Sequence, residues 1–317
     1  MRRPQPLPEP LRGVPFSVGA ARAMDVTAGR LDASDLEIPF RGVRIPRGAG
    51  PADVAERCAQ YAVRLRPWQF FSHDTALARF GAPLPFGSDP LALHVAAHRP
   101  KREPRADGVI GHRLSERSPA VWTVSGIPFE HPARAWRHVG AVWQHDDLVA
   151  AGDYLIGRGR LLTLEQLADE VELHATRGRS RLIRALADIR PGSESSEETR
   201  LRLVLQRAGL PEPELNPELR RESGAFIARL DLAYRRWRIA VEYDGRQHAF
   251  DDAQFARDAD RWHAIRASGW EHVRILRHHL RGDGRRAVDM VRSVLLRAGW
   301  RPDPPTEAPP RSHLGRL

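Results

Sequence analysis

The stretch RLDLAYRRWRIAVEYDG, residues 229–245, restricts the fold of this chain more than any other part of its sequence. Apolar and polar residues alternate along it with a period of two, which is the pattern of β-strands with one buried face. With a turn around Arg236 and Trp237, the two halves form an antiparallel pair in which Asp231 lies directly opposite Glu242. The sequence therefore predicts two paired strands that carry acids on one face.

These acids are costly unless a positive charge lies beside them. Asp231, Glu242 and Asp244 are expected on one face of the sheet, and opposed like charges on neighbouring strands are destabilising. Carboxylate oxygens are the ligands that Mg²⁺ and Mn²⁺ prefer, so the pattern suggests a divalent cation. The alternative is that the acids are hydrogen-bonded strand ends in an α/β protein of unrelated purpose.

A further acid comes from the helix predicted by SSEETRLRLVLQRAGLP, which stops at Gly209. Glu198 lies on the same stripe as Leu201 and Leu205, so its carboxylate could join the acids of the strands. However, Ser195 and Glu198 also have the spacing of a capping box, in which Glu198 is structural. The sequence leaves both interpretations open.

Basic residues follow the acidic strands. His248 comes just after the second strand, where an imidazole could act as general acid or base. Arg257 and Arg261 are four residues apart on the next predicted helix and could contact phosphate, as could Arg246. A solvated helix face is the alternative for this arginine pair. The segment EHVRIL then predicts another strand.

The chain before residue 190 divides into two parts. In residues 1–50, a short helix from Ser17 to Met24, a second helix from Ala28 to Ala33 capped by Thr27, and a hairpin formed by LEIPF and VRIP have the layout of a winged helix. Residues 51–190 form a mixed α/β middle region. Its predicted elements are the helices ADVAERCAQYAVRL, DDLVAAGDYLI and RSRLIRALADI and the strand DPLALHVAA.

The sequence suggests no catalytic or ligand-binding role for residues of the middle region. His94 and His98 are interpreted as ordinary surface histidines of a strand. Asp146 and Asp147 open a helix, where carboxylates favour the helix dipole, and are interpreted as structural. The segment RPGSESS, residues 190–196, is the predicted linker to the last domain.

Composition narrows the cellular setting. The net charge of +10 fits a polyanion partner such as DNA. Cys58 is the only cysteine, which excludes an intramolecular disulfide and a cysteine-based zinc site and favours the cytoplasm. The N-terminus has no secretory pattern, no apolar run is long enough to span a membrane, and the proline-rich residues 301–317 are expected to be disordered. Lys101 is the only lysine.

Residues 193–280 resemble an uncharacterised bacterial family, domain of unknown function five-five-nine, which is grouped with very-short-patch-repair endonucleases in the PD-(D/E)XK nuclease superfamily. The matching pieces are SESSEETRLRL, RLDLAYRRWRIAVEYDGRQH and RDADRWHAIRASGWEHVRIL. The resemblance implies a restriction-endonuclease-like mixed sheet flanked by helices in residues 191–300. It also implies Asp231 and Glu242 as principal metal ligands, Glu198 as the helix acid and His248 as the counterpart of the repair-enzyme histidine.

The segment FSVGAARAMDVTAGRL…FRGVRIPRG is similar to the winged-helix opening of abortive-infection type antitoxins. One departure concerns the nuclease motif, because the acid-x-lysine of the superfamily is here Glu242-Tyr243-Asp244. The predicted function is Mg²⁺- or Mn²⁺-dependent hydrolysis of DNA phosphodiester bonds, with Asp244 and Glu198 assisting the metal ligands Asp231 and Glu242. The alternative is a noncatalytic, antitoxin-like DNA-binding regulator with a degenerate nuclease fold.

Overall fold

The computed structural model describes residues 4–115, 121–174, 177–245 and 252–302, and the side chains of 252–259 lie outside the description. The chain is a mixed α/β protein, as predicted. It forms two compact units, Met1–Thr199 and Arg200–Leu317. The division falls inside one helix, just after the linker predicted at 190–196. Within the described residues, no helix combines the length and the apolar character needed to cross a bilayer.

The start of the first unit has the elements that the sequence predicts. The elements in chain order are β1 (Phe16–Ser17), α1 (Val18–Arg22), α2 (Ala28–Leu31), β2 (Leu36–Glu37) and β3 (Val43–Pro46). The hydroxyls of Ser17 and Thr27 cap the two helices by accepting hydrogen bonds from the third backbone N–H beyond each. The predicted hairpin is β2 and β3, and β1 joins it in a sheet of order β1-β3-β2.

The middle region contains a five-stranded sheet of order β6-β5-β4-β8-β7. Its elements are α3 (Val54–Ala62), β4 (Gln69–Phe71), α4 (His73–Arg79), β5 (Leu93–His98), β6 (Val109–Leu114), β7 (Val121–Val124), β8 (Ile127–Glu130), α5 (Pro132–Val139), α6 (His145–Ile156), α7 (Leu164–His174) and α8 (Arg179–Asp188). Strands β4 and β8 are parallel, so their carboxyl ends meet at one edge of the sheet. Asp146 and Asp147 lie in the first turn of α6, as predicted.

The second unit is built on a four-stranded sheet of order β14-β13-β12-β9. Its elements are α9 (Ser196–Arg207), β9 (Glu214–Leu215), β10 (Glu218–Arg220), β11 (Phe226–Arg229), β12 (Leu232–Tyr234), β13 (Ile239–Asp244), α10 (Asp252–Ala267), β14 (Glu271–Leu276) and α11 (Arg285–Arg297). Strand β12 is antiparallel to β9 and β13, and α10 connects the parallel strands β13 and β14. Gly209, at φ +75°, follows α9 where the helix was predicted to stop.

The predicted register of β12 and β13 is confirmed. Leu232 pairs with Val241 and Tyr234 with Ile239, and these apolar residues form a core with α11 and the later part of α9. A 3₁₀ turn at Arg235–Trp237 connects the strands, where the turn was predicted.

The first predicted strand was too long. Strand β11 ends at Arg229 and β12 begins at Leu232, so Leu230 and Asp231 lie between two strands of different sheets. Leu230 packs with Ala233 and Ala240 instead of sharing the face of Leu232, as an unbroken strand would require.

Candidate functional site

The acidic face of the second unit is the face of β13 that carries Glu242 and Asp244. Glu242 and Ala240 lie on the face that α10 covers, and the side chain of Glu242 is only 6% exposed. Asp231 lies just before β12, and its carboxylate accepts a hydrogen bond of 2.8 Å from the backbone N–H of Tyr243. The carboxylate of Asp231 is therefore held at the backbone of Tyr243, the residue that follows Glu242.

Arginines offset the charge of the acids on β13. Nη2 of Arg261, on α10, lies 2.7 Å from Oε1 of Glu242, and Nε2 of His272 lies 3.6 Å from its Oε2. Arg274 lies on the neighbouring strand β14, where it pairs with Glu242 in the ladder. Its Nε donates to Asp244 at 2.9 Å, and its guanidinium lies over the ring of Trp262 at 4.3 Å. The cost of acids in a largely buried sheet is thus compensated within the chain itself.

The contacts of Glu198 are those of a capping box. Its backbone N–H donates to the hydroxyl of Ser195 at 3.1 Å, and its carboxylate accepts from that hydroxyl at 3.0 Å and from the N–H of Glu194 at 2.9 Å. The structural alternative for Glu198 therefore matches the contacts that its side chain makes. Arg246 and His248 lie outside the described residues, as does the side chain of Arg257.

The acidic face can hold a cation in two ways. In the described arrangement the cation is the guanidinium of Arg261, whose side chain is 35% exposed while that of Glu242 is nearly buried. The partly exposed Arg261 side chain can turn away if it also leaves the carbonyl of Arg229, and the freed Glu242 and Asp231 would then offer oxygens to a metal ion. The released guanidinium would be available to a phosphate.

A second group of ionisable residues lies in the first unit, at the edge where the carboxyl ends of β4 and β8 meet. Glu130 ends β8 and is fully buried, and His73 begins α4 directly after Ser72. The backbone N–H of His73 donates to Oε2 of Glu130 at 3.2 Å. His138, on α5, places Nδ1 2.9 Å from Oε1 of the same carboxylate.

Two more histidines extend this group along the sheet. The ring of His112, on β6, stacks on His73 with 3.7 Å between centroids, and the ring of His138 stacks on His73 at 4.9 Å. Nδ1 of His94, on β5, lies 3.0 Å from Nε2 of His112. We call His73, His94, His112, His138 and Glu130 the histidine cluster.

Burial lowers the pKa of three imidazoles in the cluster. Desolvation, followed by the nearby histidines, lowers the pKa of His73 well below its ordinary value. Desolvation likewise lowers the pKa of His94, and it lowers that of His112 to about 4. A buried imidazole is uncharged when its pKa lies below the ambient pH, and the uncharged ring has a free nitrogen lone pair.

The sequence analysis missed this cluster. Interpreting His94 as an ordinary surface histidine was wrong, because its ring is half-buried and contacts His112. One signal was present, since six of the fourteen histidines lie between residues 73 and 138. No short sequence motif connects the four histidines of the cluster, because they come from α4, β5, β6 and α5.

Comparisons with known proteins give relatives without an established function. A stretch of 103 residues, 32% of this chain, is 34% identical to the uncharacterized proteins MT2308 and Rv2248 of Mycobacterium tuberculosis. The match covers 38% of the length of each relative. No protein-family profile and no solved structure matches the chain.

Proposed function

We propose that this protein acts on DNA and that its second unit hydrolyses phosphodiester bonds with the help of Mg²⁺ or Mn²⁺. The observation that carries the proposal is the hydrogen bond that holds the carboxylate of Asp231 at Tyr243, the residue after Glu242 on β13. The mixed sheet, with α9 before it and α10 between its parallel strands, is consistent with the restriction-endonuclease-like core that the resemblance implies.

The donor atoms on this face suit the proposed ion. Mg²⁺ and Mn²⁺ prefer carboxylate oxygens, and Asp231 and Glu242 would hold the ion after Arg261 leaves Glu242. When bound, such an ion polarises a phosphodiester and activates water. Asp244 stays paired with Arg274 beside this position.

The remaining proposed roles are phosphate binding and proton transfer. Arg261, released from Glu242, would bind a phosphate of the substrate, together with Arg246 and Arg257. His248 is the proposed proton donor or acceptor, because no lysine follows Lys101. The net charge of +10 favours association with a polyanion before any chemistry takes place.

A second candidate function is DNA binding without hydrolysis. Ion pairs within the chain, from Arg261 to Glu242 and from Arg274 to Asp244, favour it, because a site neutralised in this way is stable without a metal ion. The short helices α1 and α2 and the three-stranded sheet beside them provide a winged-helix-like segment that could bind a DNA groove. In this form the second unit would be a regulator's degenerate nuclease fold.

One experiment separates the two candidates. Plasmid nicking and cleavage of mismatched duplexes would be measured during Mg²⁺ and Mn²⁺ titrations for wild type, Asp231→Asn and the control Asp289→Asn, which alters an exposed acid of α11. The same proteins would be tested for binding to a duplex probe without metal. Hydrolysis predicts metal-dependent nicking that only Asp231→Asn abolishes. Binding without nicking in all three proteins favours the regulator, and absence of both rejects DNA as the substrate.

A further inference from the structure

The histidine cluster of the first unit has the composition and spacing of a metal site separate from the acidic face. Within the described part of the chain, one group of three or more histidine, cysteine or acidic residues has ligand atoms all within 4.8 Å of one another. It consists of His73, Glu130 and His138. We infer that these three residues bind one divalent transition-metal ion, and that the ion is Zn²⁺.

The distances between the donor atoms fit one shared ion. Donors about 2.0–2.2 Å from a tetrahedral ion lie about 3.4 Å from one another. In the cluster, Oε1 of Glu130 lies 2.9 Å from Nδ1 of His138, and Oε2 lies 3.9 Å from Nδ1 of His73. These values lie on either side of the ideal separation, so small ring movements suffice to place an ion between the three side chains.

The buried carboxylate points independently to a ligand. Glu130 is fully buried, and its Oε1 receives no hydrogen bond from the described residues, because the contact with His138 lacks hydrogen-bond geometry. A buried carboxylate oxygen without such a partner is costly. A metal ion at this position would satisfy it.

The chemistry of the donors selects the class of metal. Two imidazole nitrogens and one carboxylate oxygen suit zinc and its first-row neighbours, whereas Mg²⁺ and Ca²⁺ prefer oxygen ligands alone. Cys58 does not belong to the group. Three protein donors leave a fourth position, which water can occupy because His73 and His138 are slightly exposed, at 13% and 10%.

Neighbouring residues restrain the three proposed ligands, and two of these contacts must break when a metal ion binds. His112 stacks on His73 and limits rotation of its ring. Nη2 of Arg137 now lies 3.0 Å from Nε2 of His138, and Oγ of Ser72 lies 3.0 Å from Nδ1 of His73. A metal ion at Nδ1 of His73 takes the place of the Ser72 hydroxyl. A metal ion at Nδ1 of His138 leaves the ring proton on Nε2, which then no longer accepts from Arg137, while Arg137 remains anchored to Glu170 through Nε at 2.8 Å.

The test uses the full chain without a histidine tag and Zn²⁺ as the probe. Isothermal titration with a competing chelator would compare wild type, Glu130→Gln, His138→Gln and the control His145→Gln, which removes a histidine paired with Asp188 in the same unit. We expect one Zn²⁺ per wild-type chain, an affinity loss of about 100-fold or more in the two cluster variants, and no loss in the control. Asp231→Asn should also bind Zn²⁺ normally, which keeps the result separate from the proposed hydrolysis.

Two results would overturn the inference. One is the absence of Zn²⁺ binding to wild type, and the other is binding that Glu130→Gln and His138→Gln leave intact. If circular dichroism shows that these variants do not fold, the X-ray absorption spectrum of Zn²⁺-bound wild type decides. A ligand set with two imidazoles at about 2.0–2.1 Å supports the site, and a set with fewer imidazoles rejects it.

Discussion

At the scale of single residues, the carboxylate of Asp231 accepts a hydrogen bond from the N–H of Tyr243 that an asparagine side chain can also accept. Asp231→Asn keeps an oxygen for the N–H of Tyr243, so we expect the free energy of unfolding to change by less than about 1 kcal/mol. Asp231→Ala removes the acceptor and should cost about 1–3 kcal/mol. Urea unfolding of the three proteins measures the difference. Equal stability of both variants would show that the hydrogen bond is unimportant and would remove the reason for preferring asparagine in activity assays.

Arg261 is predicted to stabilise the second unit and to compete with metal at the same time. Arg261→Gln leaves the nearly buried Glu242 without its closest cation, which should lower the free energy of unfolding by about 1–2 kcal/mol after allowance for the exposure of Arg261. The same change should increase the stabilisation that Mg²⁺ gives, because the carboxylate is no longer occupied. Thermal unfolding with and without Mg²⁺ measures both effects.

Arg235→Gln is the matched control for this prediction, since Arg235 and its partner Glu214 are both half exposed. Its stability should change by less than about 0.5 kcal/mol, and its response to Mg²⁺ should not change. A Mg²⁺ response that is the same in Arg261→Gln and in wild type would contradict competition at Glu242.

At the scale of elements, the close approach of α6 to the end of α8 depends on a glycine. A Cβ added to Gly152 would lie 2.2 Å from Cδ1 of Ile189, which is almost fully buried. Gly152→Ala should therefore cost about 1–3 kcal/mol through overpacking, even though alanine favours a helix. Gly29→Ala, in α2, is the control, because its Cβ meets no atom within 4 Å and should be neutral or slightly stabilising. Calorimetry of both variants tests the prediction, and a stable Gly152→Ala would mean that the two helices can separate without cost.

The elements also show what the sequence could predict. The register of β12 and β13 could be predicted from the turn at Arg236 and Trp237. The position of a tight turn fixes which residues of two antiparallel strands lie opposite each other. The break at Leu230 and Asp231 did not follow, since alternation of apolar residues does not reveal that β11 and β12 belong to different sheets. Local patterns describe one element at a time.

The local range of sequence patterns also explains why the acidic face was predicted in part and the histidine cluster was not. Asp231 and Glu242 were found because a short turn connects their strands. Arg261 was predicted as a phosphate contact, yet its pairing with Glu242 depends on how α10 packs on the sheet, which no local pattern states. The histidine cluster combines residues up to 65 positions apart, from His73 to His138, and sequence spacing carries no information at that distance.

At the scale of the whole molecule, the cluster couples folding to pH. The pKa of His73, His94 and His112 is lowered in the folded chain, whereas in the unfolded chain these histidines bind a proton near their ordinary value of about 6.5. Between that value and about 4, the folded pKa of His112, the unfolded chain therefore binds more protons. The free energy of unfolding must then fall as the pH falls through this window. Burial raises the pKa of Asp74 and acts in the opposite direction, but it is one group of the first unit against four, because burial also lowers the pKa of His131.

This coupling predicts a measurable slope. Urea unfolding between pH 7 and pH 4.5, in the presence of a chelator, should show a steady loss of stability of the first unit in wild type. His112→Gln removes one titrating group, so the slope should decrease by up to about 1.4 kcal/mol per pH unit, because each proton taken up on unfolding contributes 2.303RT. The control Gly29→Ala, which removes no titrating group, should retain the wild-type slope. A slope that His112→Gln leaves unchanged would mean that the folded chain binds a proton at His112 as readily as the unfolded chain does, which would contradict the lowered pKa of this ring.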